Sequence, residues 1–344
     1  MKPEEAISYY NIRGAINEIA PFGLGHINDT YKVLIDGRPY LLQKINTQVF
    51  QDSESLEQNI NFVLAHDGAL FPAHFRTEEG KIHLIDDQSC WRLQAYLNQS
   101  YSPNEVNSKK QVAAIGSGFG QFANAFALVP PEKFKETIPN FHQLNLRLLQ
   151  LDQAIRLDAE ERVDMVSDLV TKASDFRWIN DRFEGLLTQG LAKRLCHNDA
   201  KAANILLKNT DDSFAKIIDL DTVGPGYLLF DYGDLMRSIF TPASENEMSL
   251  EKLIIRPEYF DVLREAYTQE LNFETTELEL ASLAFGGLYM TYIMAIRFLT
   301  DFLQGDKYYK ISFGHENMIR ARNQLKLLEL MEKALKTDYR NEGY

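Results

Sequence analysis

The sequence predicts an α+β chain of two lobes: a small antiparallel-sheet lobe over residues 1–97 and a larger, mainly helical lobe over residues 98–344. Three observations lead there. The first hundred residues carry short strand-like runs around a strong hairpin signal, the later residues follow helical spacing, and one pair of β-type runs flanking a polar loop interrupts the helical part. A length of 344 residues, 45% of them hydrophobic, also exceeds what a single core normally serves.

In chain order, Ala15 to Ala20 reads as a strand, and Pro21 to Asn28 breaks it with two glycines. Thr30 to Ile35 resumes as a strand, Asp36-Gly37 marks a tight hairpin, and Tyr40 to Ile45 returns. Asp52, Ser53 and Ser55 offer N-cap oxygens for a helix through about His66, with Leu56, Ile60, Val63 and Leu64 at helical spacing. Lys81 to Ile85 and Trp91 to Leu97 form a further strand pair. The turn-rich stretch Asn98 to Asn104 divides the lobes. Helices are expected over roughly 106–127, 140–155, 159–173, 257–270, 276–303 and 315–336, with the β-type runs at Ile205 to Leu207 and Ala215 to Leu220.

Composition narrows the function classes. The formal charge of −13 repels phosphate backbones and makes nucleic acid an unsuitable partner. Cys90 and Cys196 form neither a disulfide framework nor metal-ligand spacing, which fits a reducing cytoplasm. The N-terminal residues are polar and acidic, with no apolar signal core. The apolar run Ala281 to Ile296 holds Gly286 and Gly287, ends at Arg297 and falls short of the roughly 20 residues of a bilayer span, so a buried helix is expected and no membrane partner.

The most informative segment is His197-Asn-Asp199-Ala-Lys201-Ala-Ala-Asn204, an H-x-D-x-x-x-x-N pattern running into an apolar strand. Phosphoryl transfer needs an oriented hydroxyl, positioned phosphates and metal ions that absorb developing charge. Asp199 can accept the hydroxyl proton, and Asn204 can place a hard oxygen on Mg²⁺. Asp219, at the end of the next strand, can hold the second metal position. His197 reads as a structural orienter of the loop, and Asp231 and Asp234 as helix-capping groups that tie the loop down.

The turn Phe22-Gly23-Leu-Gly25-His26-Ile-Asn28-Asp29-Thr30 lies between two strands, where glycines let backbone N–H groups approach phosphate oxygens. Gly23, Gly25, Asn28 and Thr30 are therefore candidates for nucleotide contact. A Rossmann reading fails because a strand follows the turn. Lys44 on the returning strand can reach the α/β-phosphates, although a slip of one residue brings Gln43 there instead. Its ion-pair partner is expected on the following helix, with Glu57 preferred over Glu54.

The catalytic-loop segment resembles that of the aminoglycoside phosphotransferase and choline kinase superfamily, which implies a protein-kinase-like fold using ATP and Mg²⁺. Four further segments sharpen the resemblance: Gly25-His26-Ile-Asn28-Asp29-Thr30-Tyr31, Leu42-Gln43-Lys44-Ile-Asn46, Glu136-Thr-Ile-Pro-Asn140-Phe-His142 and Arg297 to Tyr308. Together these are similar to the N-acetylhexosamine 1-kinases. The resemblance implies phosphorylation of the anomeric hydroxyl of N-acetylglucosamine or N-acetylgalactosamine, with His26, Asp199, Arg297 and Tyr308 on the sugar. The alternatives are a kinase of an aminoglycoside, choline or amino-alcohol, and a non-catalytic nucleotide-binding module.

Overall fold

A computed structural model describes residues 1–23, 27–86, 89–335 and Tyr339. The first lobe opens with a short helix, α1 (Pro3–Ser8), followed by strands β1 (Ile16–Pro21), β2 (Asp29–Ile35) and β3 (Arg38–Ile45). Helix α2 (Ser53–Asp67) and strands β4 (His74–Phe75), β5 (His83–Ile85) and β6 (Cys90–Ala95) complete it. The sheet order is β1-β2-β3-β6-β4, with β5 also on β6, and every pairing is antiparallel. Asp36 and Gly37 both take positive φ, 47° and 74°, the twist a two-residue hairpin needs. The Asp52 side chain caps α2 by accepting the Ser55 N–H at 2.9 Å.

The two faces of this sheet have different cover. Val33, Leu42, Trp91 and Leu93 form a small core with Ala6 and Ile7 of α1. Ile45 and Cys90 face the other way and join Leu56 and Ile60 of α2 in the main core.

The second lobe begins with β7 (Ser100–Tyr101) and runs through α3 (Lys109–Ala125), α4 (Leu144–Leu157), α5 (Ser167–Asp175) and α6 (Trp178–Thr188). Next come β8 (Arg194–Cys196), β9 (Ile205–Lys208), β10 (Phe214–Ile217) and β11 (Gly224–Gly226), then α7 (Leu228–Ile239), α8 (Phe260–Thr268), α9 (Glu277–Leu303) and α10 (Glu316–Ala334). Strands pair in the order β10-β9-β7, and β8 pairs separately with β11. Two helices, α6 and α7, fall outside the expected helical ranges, and Asp231 and Asp234, expected to cap a helix, lie inside α7 instead. Expected helix 140–155 starts at Leu144 instead, and 159–173 is replaced by a one-turn helix at Asp164–Val166 leading into α5.

Helix α9 is the axis of this lobe. A capping box starts it: Thr276 accepts from Glu279 N–H while the Glu279 carboxylate accepts from Thr276 N–H. By length and composition it could cross a membrane, but 89% of that apolar window is buried inside the lobe. It meets α7 at a glycine pair, where a methyl group on Gly233 would come within 2.1 Å of the Gly286 carbonyl oxygen. This close approach presses α7 onto the core and fixes its N-terminal half beneath the loop after β8.

Candidate active site

The loop from His197 to Asn204 leaves β8 and enters β9 through a one-turn helix, Ala202–Asn204. No regular strand pairing holds its first residues. The Asp231 carboxylate of α7 does so, accepting the N–H groups of His197 and Asn198. Burial pushes Asp231 up to about 6, against the two amides and His197, which pull it down. The His197 ring donates from Nε2 to the Ile218 carbonyl at 3.1 Å and meets Phe119 and Phe122 edge-on, so it serves as the expected structural orienter. Asn198 takes φ +61° and spreads its Nδ2 over the Thr222 and Gly224 carbonyls. His142 donates from Nε2 to the Asn198 carbonyl at 2.8 Å, and burial lowers its pKa to about 3, so the ring is neutral.

Asp199 comes next, its side chain 24% exposed. Its Oδ2 accepts from Lys201 Nζ at 2.8 Å and from Asn204 Nδ2 at 2.7 Å. Burial raises the carboxyl's pKa, but Lys201, then His197 and Asn204, more than offset this and hold it below the usual range. The Asn204 amide also reaches the Asp199 carbonyl at 2.9 Å, which turns its Oδ1 away from that residue. The Ile218 N–H donates to the Asn204 carbonyl, bringing Asp219 to the same place. Asp219 sits in the left-handed region at φ +65°. Burial, then Asp221 and Asp199, push its pKa up to about 7. The sequence-predicted trio of Asp199, Asn204 and Asp219 is thus gathered around one polar center, with Lys201 as a neighbor that sequence reasoning passed over.

The sheet side of the cleft departs from expectation. Gln43 Nε2 donates to Thr30 Oγ1 at 3.2 Å, and Gln43 Oε1 accepts from Arg92 Nε and Gln94 Nε2. Lys44 is on the opposite face, its ammonium 5.8 Å from the Trp91 ring above the small outer core. The pairing Asp29–Lys44–Trp91 beside Thr30–Gln43–Arg92 sets this register. Glu57 does not pair with Lys44. Its carboxylate accepts from His83 Nδ1 at 2.6 Å and from the Ile82 and His83 N–H groups. Burial raises the pKa of Glu57, but those three donors more than offset it and hold the group at about 2.

Asn28 donates to Asp221 at 2.8 Å and accepts the Asn46 N–H, which fixes the base of the glycine turn to the other lobe. Gly23 takes φ +79°, with open space where a side chain would be. Gly25 and His26 lie outside the described residues.

Arg297 projects from the last third of α9. Its guanidinium lies over the rings of Phe141, Tyr308 and Tyr309 at 4.7, 5.5 and 5.5 Å. No carboxylate pairs with it among the described residues. Asp301, one helical turn on, is occupied by the N–H groups of Lys307, Tyr308 and Tyr309 and by Asn317. Arg297 and Asp199 are joined by a short chain of contacts: Arg297 on Phe141, its neighbor His142 on the Asn198 carbonyl, and Asp199 following. A cavity of about 210 Å³ is lined by Phe141, His142 and Asn198 of this connection with Glu136, Phe183 and Tyr227; Asp199, Asn204, Asp219 and Arg297 do not line it.

This fold, with its H-x-D-x-x-x-x-N loop at the junction of sheet and helices, is that of a small-molecule phosphotransferase with a protein-kinase-like architecture. The chain belongs to the phosphotransferase enzyme family, whose model matches residues 18–270. Solved structures agree on the fold. A microcompartment-associated aminopropanol kinase is 16% identical with TM-score 0.65, covering 96% of each chain. Spectinomycin phosphotransferase APH(9)-Ia, in complex with ADP and spectinomycin, is 14% identical with TM-score 0.59, covering 98% of this chain and 97% of its own. Choline kinase from Cryptosporidium parvum Iowa II is 12% identical with TM-score 0.57, covering 95% and 90%.

Proposed function

We propose that this enzyme transfers the γ-phosphate of ATP to the anomeric hydroxyl of an N-acetylhexosamine, giving the sugar 1-phosphate and ADP. The observation that carries the acceptor class is Arg297, buried against three aromatic rings and without a carboxylate partner among the described residues, a short step from Asp199. A buried, unpaired guanidinium is costly and calls for acceptors of its hydrogen bonds. The hydroxyl and carbonyl oxygens of an N-acetyl sugar supply them, whereas a cationic acceptor is repelled. Tyr308, 3.4 Å from Arg297 through its hydroxyl, adds a ring and an O–H to the same wall.

In the reaction Asp199 orients the sugar O1 hydroxyl and takes its proton. O1 bonds to the γ-phosphorus as the bond from that phosphorus to the β-bridging oxygen breaks, and ADP leaves with the electron pair. Lys201 holds Asp199 ionized and in place. Asn204 Oδ1 and the Asp219 carboxylate would hold Mg²⁺, and they fit it: both are hard oxygens, and the burial and neighboring carboxylates that raise Asp219 are what a divalent cation would offset. When bound, that ion neutralizes charge on the phosphate oxygens. The turn that Gly23 opens would lie over the phosphates. Both cysteines are buried free thiols, in keeping with a reducing cytoplasm.

The test is ADP release with Mg²⁺-ATP over a panel of N-acetylglucosamine, N-acetylgalactosamine, choline, ethanolamine, aminopropanol and spectinomycin, with NMR of the product. Turnover of an N-acetylhexosamine with phosphorus on O1 is expected. Turnover confined to an amine-bearing acceptor, or phosphate on O6, overturns the assignment.

A further inference from the structure

The cation of the sheet that faces the catalytic loop is Arg92, not Lys44. Arg92 is fully buried in β6, and both of its terminal nitrogens meet the carboxylate of Asp221, Nη2 to Oδ2 at 3.0 Å, while Nε holds Gln43. Asp221 is equally buried and takes a further bond from Asn28. Its backbone carbonyl accepts from Thr137 Oγ1. Asp221 stands two residues after Asp219, whose backbone is held on the near side by the Ile218–Asn204 bond. Asp219 is therefore a left-handed residue strung between two anchors, and one of them reaches across from the other lobe.

Stability alone explains this poorly. Apolar side chains of similar volume often replace a buried ion pair without loss, because desolvation consumes most of the Coulomb gain. A bidentate fork does something apolar packing cannot: it fixes the direction of a carboxylate, and through it the chain on either side.

We propose that Arg92 is a positioning residue of the transfer reaction, fixing Asp221 so that the Asp219 carboxylate faces the same center as Asn204 and the sheet and catalytic loop hold one spacing. This does for the cleft what was expected of a Lys44–Glu57 pair. It rests on the reading of Asp219 as a metal ligand.

The test uses the full chain and Arg92→Met, Arg92→Lys and Asp219→Asn. Calorimetric titration of Mg²⁺-ADP and Mg²⁺-ATP without acceptor, and the Mg²⁺ concentration giving half-maximal turnover, are measured beside kcat and both KM values. Expected for Arg92→Met is a loss of about 10–100-fold in kcat and in metal-nucleotide affinity, the range typical of groups that orient metal ligands, with acceptor KM unchanged. Arg92→Lys restores part of the nucleotide affinity, because it keeps the charge and loses the fork. Should Arg92→Met fail to fold, Arg92→Lys decides: a raised Mg²⁺ requirement with an unchanged melting temperature supports the role. Folded Arg92 variants with wild-type Mg²⁺ requirement and nucleotide affinity overturn it. Asp219→Asn separates the two ideas, since unimpaired Mg²⁺-ADP binding in that variant removes the metal assignment itself.

Discussion

The Asp231 carboxylate accepts the backbone N–H groups of His197 and Asn198, at 2.8 and 2.7 Å. One side chain on α7 thereby supplies both hydrogen bonds that the start of the catalytic loop lacks. Replacement by Asn puts an amide N–H against one of those donors and leaves it unsatisfied, at about 1–3 kcal/mol. Asp231→Asn is expected to lower kcat about 10–100-fold with little change in nucleotide KM. Steady-state kinetics beside a thermal melt measure both, and wild-type kcat refutes the anchoring role.

Lys201 keeps Asp199 ionized. In Lys201→Met the strongest of the influences lowering that carboxyl's pKa disappears while the burial that raises it stays. The acid limb of the kcat/KM profile should therefore move to higher pH, and kcat should fall. A pH series from 3.5 to 9 on both proteins reads the shift, and an acid limb at the same pH in both counts against the pairing.

Glu57 supports the first lobe rather than a phosphate-binding lysine. Its folded pKa of about 2 lies below the ordinary 4.5, so its contribution is fully present above about pH 4.5 and is lost as pH falls toward 2. Glu57→Gln should lower stability by on the order of 2–3 kcal/mol at neutral pH. The gap from wild type should narrow as pH falls through that window. Urea unfolding at pH 7, 5 and 3.5 tests the trend, and a gap independent of pH contradicts it.

On the proposed function Arg297 contacts the acceptor and not the nucleotide. Arg297→Met should raise the acceptor KM or abolish turnover while leaving ATP affinity within about twofold, and Arg297→Lys should recover little because the planar fork is lost. Nucleotide titration without acceptor provides the control. A parallel loss of ATP binding would place Arg297 on the phosphates instead.

Local signals carried most of this architecture. The Asp36-Gly37 hairpin, the Asp52 cap and the long apolar periodicity of residues 276–303 are short-range features, and they appear where expected. Helix α7 was missed although Asp231, Asp234 and Arg237 recur at helical spacing: that polar stripe is buried, with Asp231 on the loop after β8 and Asp234 on Arg237, so it does not read as a solvent face. The gathering of Asp199, Asn204 and Asp219 was readable because their spacing lies within about twenty residues. The sheet side was not. In Leu41-Leu42-Gln43-Lys44 either polar residue could face the cleft, and the choice is made by Arg92 and Trp91 on a strand some fifty residues away. Arg92 in turn meets Asp221 across 129 residues, a separation at which no local pattern points to a partner.

Helix α9 gets its cover from both directions along the chain, from α4, α6 and α7 before it and from α10 after it. A ribosome that has just released residue 303 thus presents an apolar rod with one flank of its sheath still unsynthesized. A polypeptide terminated between 304 and 315 keeps that flank bare for good, and chaperones, proteases or lipid surfaces become its natural captors. Helix α10 is accordingly what closes this flank, and removing it should cost yield before it costs chemistry.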